Sequence, residues 1–415
     1  MPGININNDI GTMRRAIVHV PGREAGDNSL VGFEQAFQIR ASFGRSAFDY
    51  QRAAIEHESL TTVLAEQGVE LVTMDDLLCE ALDSSPKARR EFCRDYASQS
   101  GSVGTELQRA ITDFLMSSES NAQLIQRALD GVTYGEAFPD APSTHPLLQA
   151  MDTQTDSAAQ LAIPLATAYF TKDPVIPVGG GAALCKMYWP ERAREALFFR
   201  TILTWHPDFR GTSLWSDEMG SYHIEGGDVM RLGPTTIAIG VSDRTEPAAA
   251  QALADTLLWD ADIEKVLVLR VPSRGRRLHL DTFLSRVDVD SFLVSPELEG
   301  LHESWQLTRG RRKHSVRVEA LTTPLASLLG QATGNGTCRL IGLSQAASSA
   351  TSPDSLSASN LALAPGKLCV LKGNNAVNET LSAAGMDLVE IALDELTYGF
   401  GGPDSLVLPI WREDL

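Results

Sequence analysis

His223-Ile224-Glu225-Gly226-Gly227-Asp228-Val229-Met230 sets two carboxylates three residues apart across a glycine pair, and the apolar run Thr236-Ile237-Ala238-Ile239-Gly240-Val241 follows at once. The run reads as a strand. Adjacent glycines let the backbone turn sharply and approach a neighbour or ligand closely. Glu225 and Asp228 are therefore expected at a strand end or tight turn, not on a helix face. Acids presented in this way suit a cation with several N–H donors, such as a guanidinium. The same residues also fit a hairpin carrying two solvated acids, so their neighbours must decide.

Working outward, strand and helix signals alternate. Upstream, residues 166–170 read as a strand, 179–181 as a glycine turn and 190–203 as a helix. Downstream, a helix over 247–257 leads to a strand over 266–271, with further strands at 292–294 and 316–321. Towards the N-terminus, residues 15–20 read as a strand and 49–67 as a helix stopped by Gly68, with 69–72 as the next strand. Towards the C-terminus come a strand at 368–371, a helix at 378–384 and strands at 388–391 and 406–408. Residues 344–359, rich in Ser and Ala, read as a loose loop. Between these parts, residues 77–150 lose the strand pattern and read as short helices at 87–97, 103–116 and 121–129. The expected organisation is a first α/β part over 1–76, a helical insertion over 77–150 and the rest of the α/β array over 151–415. Repetition of strand–helix–strand units without a clean residue repeat suggests pseudo-symmetry about an axis. Loops from each unit would then meet at one centre.

Composition narrows the function. The 415 residues carry a net charge of −18, which argues against nucleic acid or an anionic membrane as partner. The charge fits a protein handling small cationic molecules, and a homo-oligomer is compatible with it. No run of 18 apolar residues occurs, and residues 1–8 lack a signal pattern. Cys79, Cys93, Cys185, Cys338 and Cys369 are widely spread, with no Cys-x-x-Cys and no zinc spacing. Free thiols in a reducing cytoplasm are expected, with no metal and no cofactor. None of the five cysteines is an evident nucleophile from its local sequence.

The chain resembles the arginine deiminases, of the guanidino-group-modifying superfamily with the five-bladed α/β propeller (pentein) fold. The resemblance rests on Gly11-Thr12-Met13-Arg14-Arg15-Ala16-Ile17-Val18-His19-Val20-Pro21-Gly22-Arg23-Glu24, Phe170-Thr171-Lys172-Asp173, Met187-Tyr188-Trp189-Pro190-Glu191-Arg192, Ile224-Glu225-Gly226-Gly227-Asp228, Asp243-Arg244, His279-Leu280-Asp281-Thr282 and Gly401-Gly402-Pro403. Each piece is weak alone, but their order and spacing are those of the family. The family implies a cysteine that attacks the guanidinium carbon, a histidine acid/base and acids that hold the guanidinium. On this pattern His279 is the acid/base, Glu225 stands beside it, Asp173 and Asp228 are the guanidinium-binding acids, and Arg192 and Arg244 hold the substrate's carboxylate. A carboxylate receives a guanidinium in a bidentate fork. A histidine can protonate a leaving amine and then deprotonate water. Read singly, His279 fits a structural histidine, Arg192 and Arg244 surface or turn charges, and Asp173, before Pro174, a turn cap.

The C-terminal loop departs from the family. In Gly401-Gly402-Pro403-Asp404-Ser405-Leu406-Val407-Leu408-Pro409, Ser405 stands where the nucleophilic cysteine belongs. Phe400 stands where many relatives carry another substrate-binding arginine, Thr167 replaces an expected asparagine, and the lid loop over residues 32–50 is unfamiliar. An alcohol has no useful ionised fraction near neutral pH and needs a positioned base. Three readings follow: a hydrolase or amidinotransferase of linear amidines with a poor nucleophile; other acid/base chemistry on a modified arginine; or a non-catalytic protein that binds a guanidinium-bearing ligand.

Overall fold

The computed structural model describes residues 3–26, 48–139, 156–216, 222–272, 279–301, 303–343, 360–399 and 401–415. One arrangement recurs five times. A central strand pairs antiparallel with one neighbour and parallel with another, and a helix lies between the two parallel strands in sequence. Parallel pairing requires such a crossover, because a tight hairpin can only reverse the chain.

In the first unit Met13–Val18 is antiparallel to Leu408–Arg412 and parallel to Glu70–Thr73, reached through the helix Tyr50–Glu66. In the second, Gly181–Leu184 lies between Val175–Val178 and Ser213–Ser216, with the helix Ala193–Trp205. The third centres on Thr236–Val241, between Val229–Gly233 and Lys265–Arg270, with the helix Pro247–Asp260. It is extended by the hairpin Ser304–Arg309 and Val316–Leu321. The fourth places Ser291–Val294 between Leu284–Asp288 and Arg339–Gly342, with the helix Leu325–Thr333. The fifth places Lys367–Leu371 between Leu361–Ala364 and Asp387–Ile391, with the helix Asn375–Ala383. The sheets are separate among the described residues, linked by strand pairing only where Ile6 and Gly179 form an isolated antiparallel bridge between the N-terminal segment and the second unit. The two ends of the chain meet in the first unit, where Asn5 N–H donates to the Ile410 carbonyl at 2.9 Å.

Four helices, Met74–Asp83, Pro86–Ser98, Thr105–Met116 and Asn121–Asp130, follow the first unit. Thr73, Ser85 and Ser120 cap three of them by accepting a backbone N–H, which satisfies a donor the helix cannot use itself. Leu78, Phe92, Ile111, Leu115 and Leu124 from these helices pack with Phe198 and Ile202 of Ala193–Trp205 in one core.

Two sequence expectations fail. Residues 166–170 form a buried turn, not a strand, held by Ala168 N–H to Leu165 carbonyl (3.1 Å) and Phe170 N–H to Thr167 carbonyl (3.0 Å). Tyr169 and Phe170 fill the core from that turn, and a short apolar run looks the same in either case. The last strand is Leu408–Arg412; Leu406 and Val407 are buried ahead of it. The strands Leu284–Asp288, Ser304–Arg309, Arg339–Gly342 and Leu361–Ala364 were not read from sequence. The loop at 344–359, Phe400 and nearly all of the loop at 32–50 lie outside the described residues.

A regularity places the site. Asp173, Asp228, Asp281 and Asp404 each lie within four residues ahead of the first strand of a unit, or of Leu408–Arg412, which takes the first strand's place in the first unit. Asn360 occupies the same place in the fifth unit.

Candidate active site

His279 stands at the centre of a group of carboxylates. Its Nε2 lies 2.7 Å from Glu225 Oε2 and its Nδ1 lies 4.0 Å from Asp173 Oδ1. Glu225 is wholly buried, and its Oε1 accepts the Tyr188 N–H at 2.9 Å. Burial alone would discharge the imidazole, but the Glu225 hydrogen bond and the charges of Asp173 and Asp228 raise His279 to about 9. Burial opposes the charge on Glu225 as well, and the His279 imidazolium with Arg192 and Arg244 holds its carboxyl below the usual range. The two therefore form an imidazolium–carboxylate pair at neutral pH.

The glycine pair allows this approach. Gly226–Asp228 is a single 3₁₀ turn, as the sequence expects of a tight turn. A Cβ on Gly227 would lie 2.7 Å from His279 Nδ1 and 2.9 Å from Asp281 Oδ2. A Cβ on Gly226 would lie 2.1 Å from the Lys172 carbonyl oxygen. Only bare backbone fits between the histidine and the segment 172–173.

Asp228 belongs to the frame of this turn. It is wholly buried, Oδ1 accepts the Leu280 N–H at 2.8 Å, and Oδ2 accepts the hydroxyls of Ser242 and Thr245, each at 2.6 Å. Both oxygens are taken up by the protein, so its carboxylate is spent on fixing the turn and the His279 loop. Burial raises its pKa to about 6 in spite of these bonds.

Asp281 takes up a more open position, and the sequence reading assigned it no role. Its Oδ2 lies 2.9 Å from Lys172 Nζ, which also contacts Asp404. Burial raises Asp281 above the ordinary carboxylate value and Lys172 partly offsets this. Lys172 is raised in turn by the two acids, against its burial. All three residues were visible in sequence: each lies within two residues of a residue that was singled out.

Arg192 and Arg244 both reach the group. Arg192 forks onto Glu195 and bonds Asp173 Oδ2 at 3.0 Å. Glu195 is held in turn by the Thr167 hydroxyl at 2.8 Å. Asp173 Oδ1 accepts no hydrogen bond among the described residues. Arg244 lies 3.8 Å from Glu225 Oε1 and stacks near Tyr188 and Trp189, with 5.2 and 5.4 Å to the ring centres. Burial lowers its pKa. The guanidinium of Arg192 thus already sits on the acid that sequence assigned to a substrate's guanidinium.

Ser405 is half-buried next to this group. Its carbonyl accepts the Lys172 N–H at 3.4 Å, and its N–H donates to the Gly402 carbonyl at 3.0 Å. Its hydroxyl has no hydrogen-bond partner among the described residues, so no base is in place to activate it. Cys185 offers no substitute. It is buried, and burial with the charges of Glu225 and Asp173 pushes its thiol well above the ordinary range, away from the reactive thiolate. Among the described residues no group of three or more acids, histidines or cysteines could hold a metal, and no helix is long and apolar enough to cross a membrane.

Separate ββαβ units define the class of fold: a mixed α/β protein whose structural neighbours belong to the pentein superfamily. DDAH from Pseudomonas aeruginosa, solved as a cysteine-to-serine mutant with citrulline, matches with a TM-score of 0.53 at 14% identity over 96% of this chain and 99% of its own. SxtG, an amidinotransferase from Microseira wollei, matches with a TM-score of 0.56 at 13% identity, over 99% of this chain and 98% of its own. The arginine deiminase family profile matches residues 45–412, and the chain belongs to that family. The arginine deiminase of Treponema denticola is 29% identical over the full length of both chains. That of Limosilactobacillus fermentum is 30% identical over 99% of each.

Proposed function

We propose that the protein binds the guanidinium of arginine or an arginine-derived amidine and acts on it as an arginine-deiminase-like enzyme, by C–N hydrolysis or amidino transfer. The observation that carries this is the His279 imidazolium set between Glu225 and Asp173, with Asp281 Oδ2 meeting Gly227 beside the same imidazole nitrogen, Nδ1. Asp173 and Asp281 grip the guanidinium from two sides, a role that the closed hydrogen bonding of Asp228 leaves to Asp281. Glu225 keeps His279 charged and aimed. His279 gives its proton to the leaving amine, and the resulting neutral imidazole then takes one from water. Arg192 and Arg244 hold the carboxylate at the other end of the substrate, Arg192 exchanging part of its contact with Asp173 for it. The five units stand as blades about one axis, which brings four of their leading loops to this point.

Ser405 occupies the place of the nucleophile in this reading and leaves the protein with reduced activity. The lack of any base on its hydroxyl favours a second reading, a non-catalytic protein that binds the same ligand. Two measurements separate them. Calorimetric titration with arginine and agmatine is expected to show binding that Asp281→Asn weakens at least tenfold; no heat with either at millimolar concentration ends both readings. Ser405→Cys is expected to produce citrulline from arginine. A Ser405→Cys protein that binds arginine without turning it over would leave only the binding reading.

A further inference from the structure

Together with Lys172, the first strands of all five units line one cavity of about 80 Å³. Arg231, Arg286 and Arg412 all face into it, together with Asn360, and each of the four is no more than 5% exposed. None of the three arginines has a carboxylate within 4 Å among the described residues. Arg286 gives its two terminal nitrogens to the carbonyls of Leu232 (2.8 Å) and Val289 (2.6 Å), which fixes the guanidinium and leaves Nε. Arg231 makes one long bond, 3.4 Å to the Pro177 carbonyl. Arg412 bonds the Gly11 carbonyl at 2.9 Å. Four buried donors are left over: Nε and Nη2 of Arg231, Nε of Arg286 and Nδ2 of Asn360.

Buried cations without an anion are costly, and buried donors without acceptors add to the cost. Asp9 also lines the cavity, and its charge acts on all three arginines. Lys172 lines the cavity too, with Asp281 and Asp404, so four cations face three carboxylates and an excess of one positive charge remains. Asp9 Oδ2 is moreover already engaged by the Arg231 backbone N–H at 2.7 Å. Burial without sufficient compensation lowers the pKa of Arg231 and of Arg412 to about 10. The remaining donors point to an acceptor with several oxygens and a negative charge, and the cavity has room for a few atoms of that size.

We propose that this cavity is a binding site for a small oxyanion, a phosphate or carboxylate-sized group held by Arg231, Arg286 and Asn360. The cavity borders the candidate active site and shares Lys172, Gly227 and Asp281 with it, but none of the three anion-holding residues, Arg231, Arg286 and Asn360, belongs to the proposed catalytic group. Guanidinium chemistry at His279 neither requires nor supplies the anion, so the two proposals stand or fall separately.

The test uses the full-length protein in Tris chloride, titrated with inorganic phosphate, sulfate and acetate at constant ionic strength, with added chloride as control. Phosphate is expected to bind at one equivalent per chain in calorimetry and to raise Tm by about 3 °C or more at a hundredfold excess over Kd. Whichever of the three anions gives the largest effect identifies the preferred geometry. Asn360→Asp replaces the anion with a tethered carboxylate, so Tm in oxyanion-free buffer should rise and the phosphate response should vanish. Asp9→Asn removes the competing carboxylate and should tighten phosphate binding about tenfold. Oxyanions that raise Tm no more than chloride overturn the proposal. So does a phosphate response retained in Asn360→Asp. If that variant does not fold, unchanged affinity in Asp9→Asn decides against it.

Discussion

Lys172 Nζ lies 2.9 Å from Asp281 Oδ2 and also touches Asp404, so a single ammonium neutralises two carboxylates from different units. All three side chains are mostly buried, with 10–18% of each exposed. Removing one partner of a buried pair costs about 3 kcal/mol or more, because the charge left behind keeps its desolvation penalty. Lys172→Met is therefore expected to lose about 3 kcal/mol at pH 7.5. Lys172 lowers the pKa of Asp281, so its removal lets that value rise further. A carboxyl whose folded pKa is raised is stabilising in acid and loses that contribution as pH rises. The deficit should thus shrink between pH 7.5 and pH 5, and Lys172→Met/Asp404→Asn should recover part of it. Urea unfolding at the two pH values checks this; an equal deficit at both would show that the ammonium matters through packing alone.

The His279–Glu225 pair makes a second prediction, with the opposite sign. The folded pKa of His279 is raised to about 9, above the unfolded value of about 6.5. Its contribution, of order 3 kcal/mol, is fully present below about pH 6.5 and is lost as pH rises through about 9. Unfolding free energy should decline over that interval, and any activity needing the imidazolium should decline with it. In Glu225→Gln the hydrogen bond and the charge that raise His279 are weakened, so its titration should move down towards 6.5. Imidazole NMR signals followed from pH 5 to 10 read this directly. A His279 resonance that titrates near 6.5 in the unaltered protein would contradict the pairing.

Much of this architecture was legible because it depends on local rules. Tyr50–Glu66 announces itself by its apolar spacing and by Gly68 beyond its end, and the structure adds a cap in Asp49, whose side chain accepts the Arg52 N–H. The glycine pair predicted a tight turn and a close approach, and the Cβ distances at Gly226 and Gly227 supply the reason. Membership of the family followed from motif order. What was not legible was which acid the surrounding protein donors occupy. Asp228 and Asp281 are both short acids in single 3₁₀ turns, and only the three donors converging on Asp228 separate them. The arginines of the inner cavity were equally hidden. Arg231 and Arg286 stand inside strands at positions where sequence alone reads a solvated charge, because the first strands that bury them come together only when distant units meet.

Gly227 offers the most direct test of that convergence. Its backbone lies outside the left-handed region, so Gly227→Ala imposes no conformational strain of its own. The added methyl meets the His279 ring at 2.7 Å and Asp281 at 2.9 Å, while Glu225 holds the ring from its other side at 2.7 Å. The imidazole must move, and moving breaks the Glu225 bond. Overpacking of this kind costs about 1–3 kcal/mol, small enough to leave the protein folded. The expected protein has a modestly lower Tm, a His279 pKa displaced towards 6.5 and at least tenfold weaker binding of arginine. Gly300→Ala, where an added Cβ would meet nothing within 4 Å, is the control and should change none of these. Gly227→Ala with unaltered His279 titration and ligand affinity would mean that histidine and acids do not share the space between them, and the proposed guanidinium grip would fall with it.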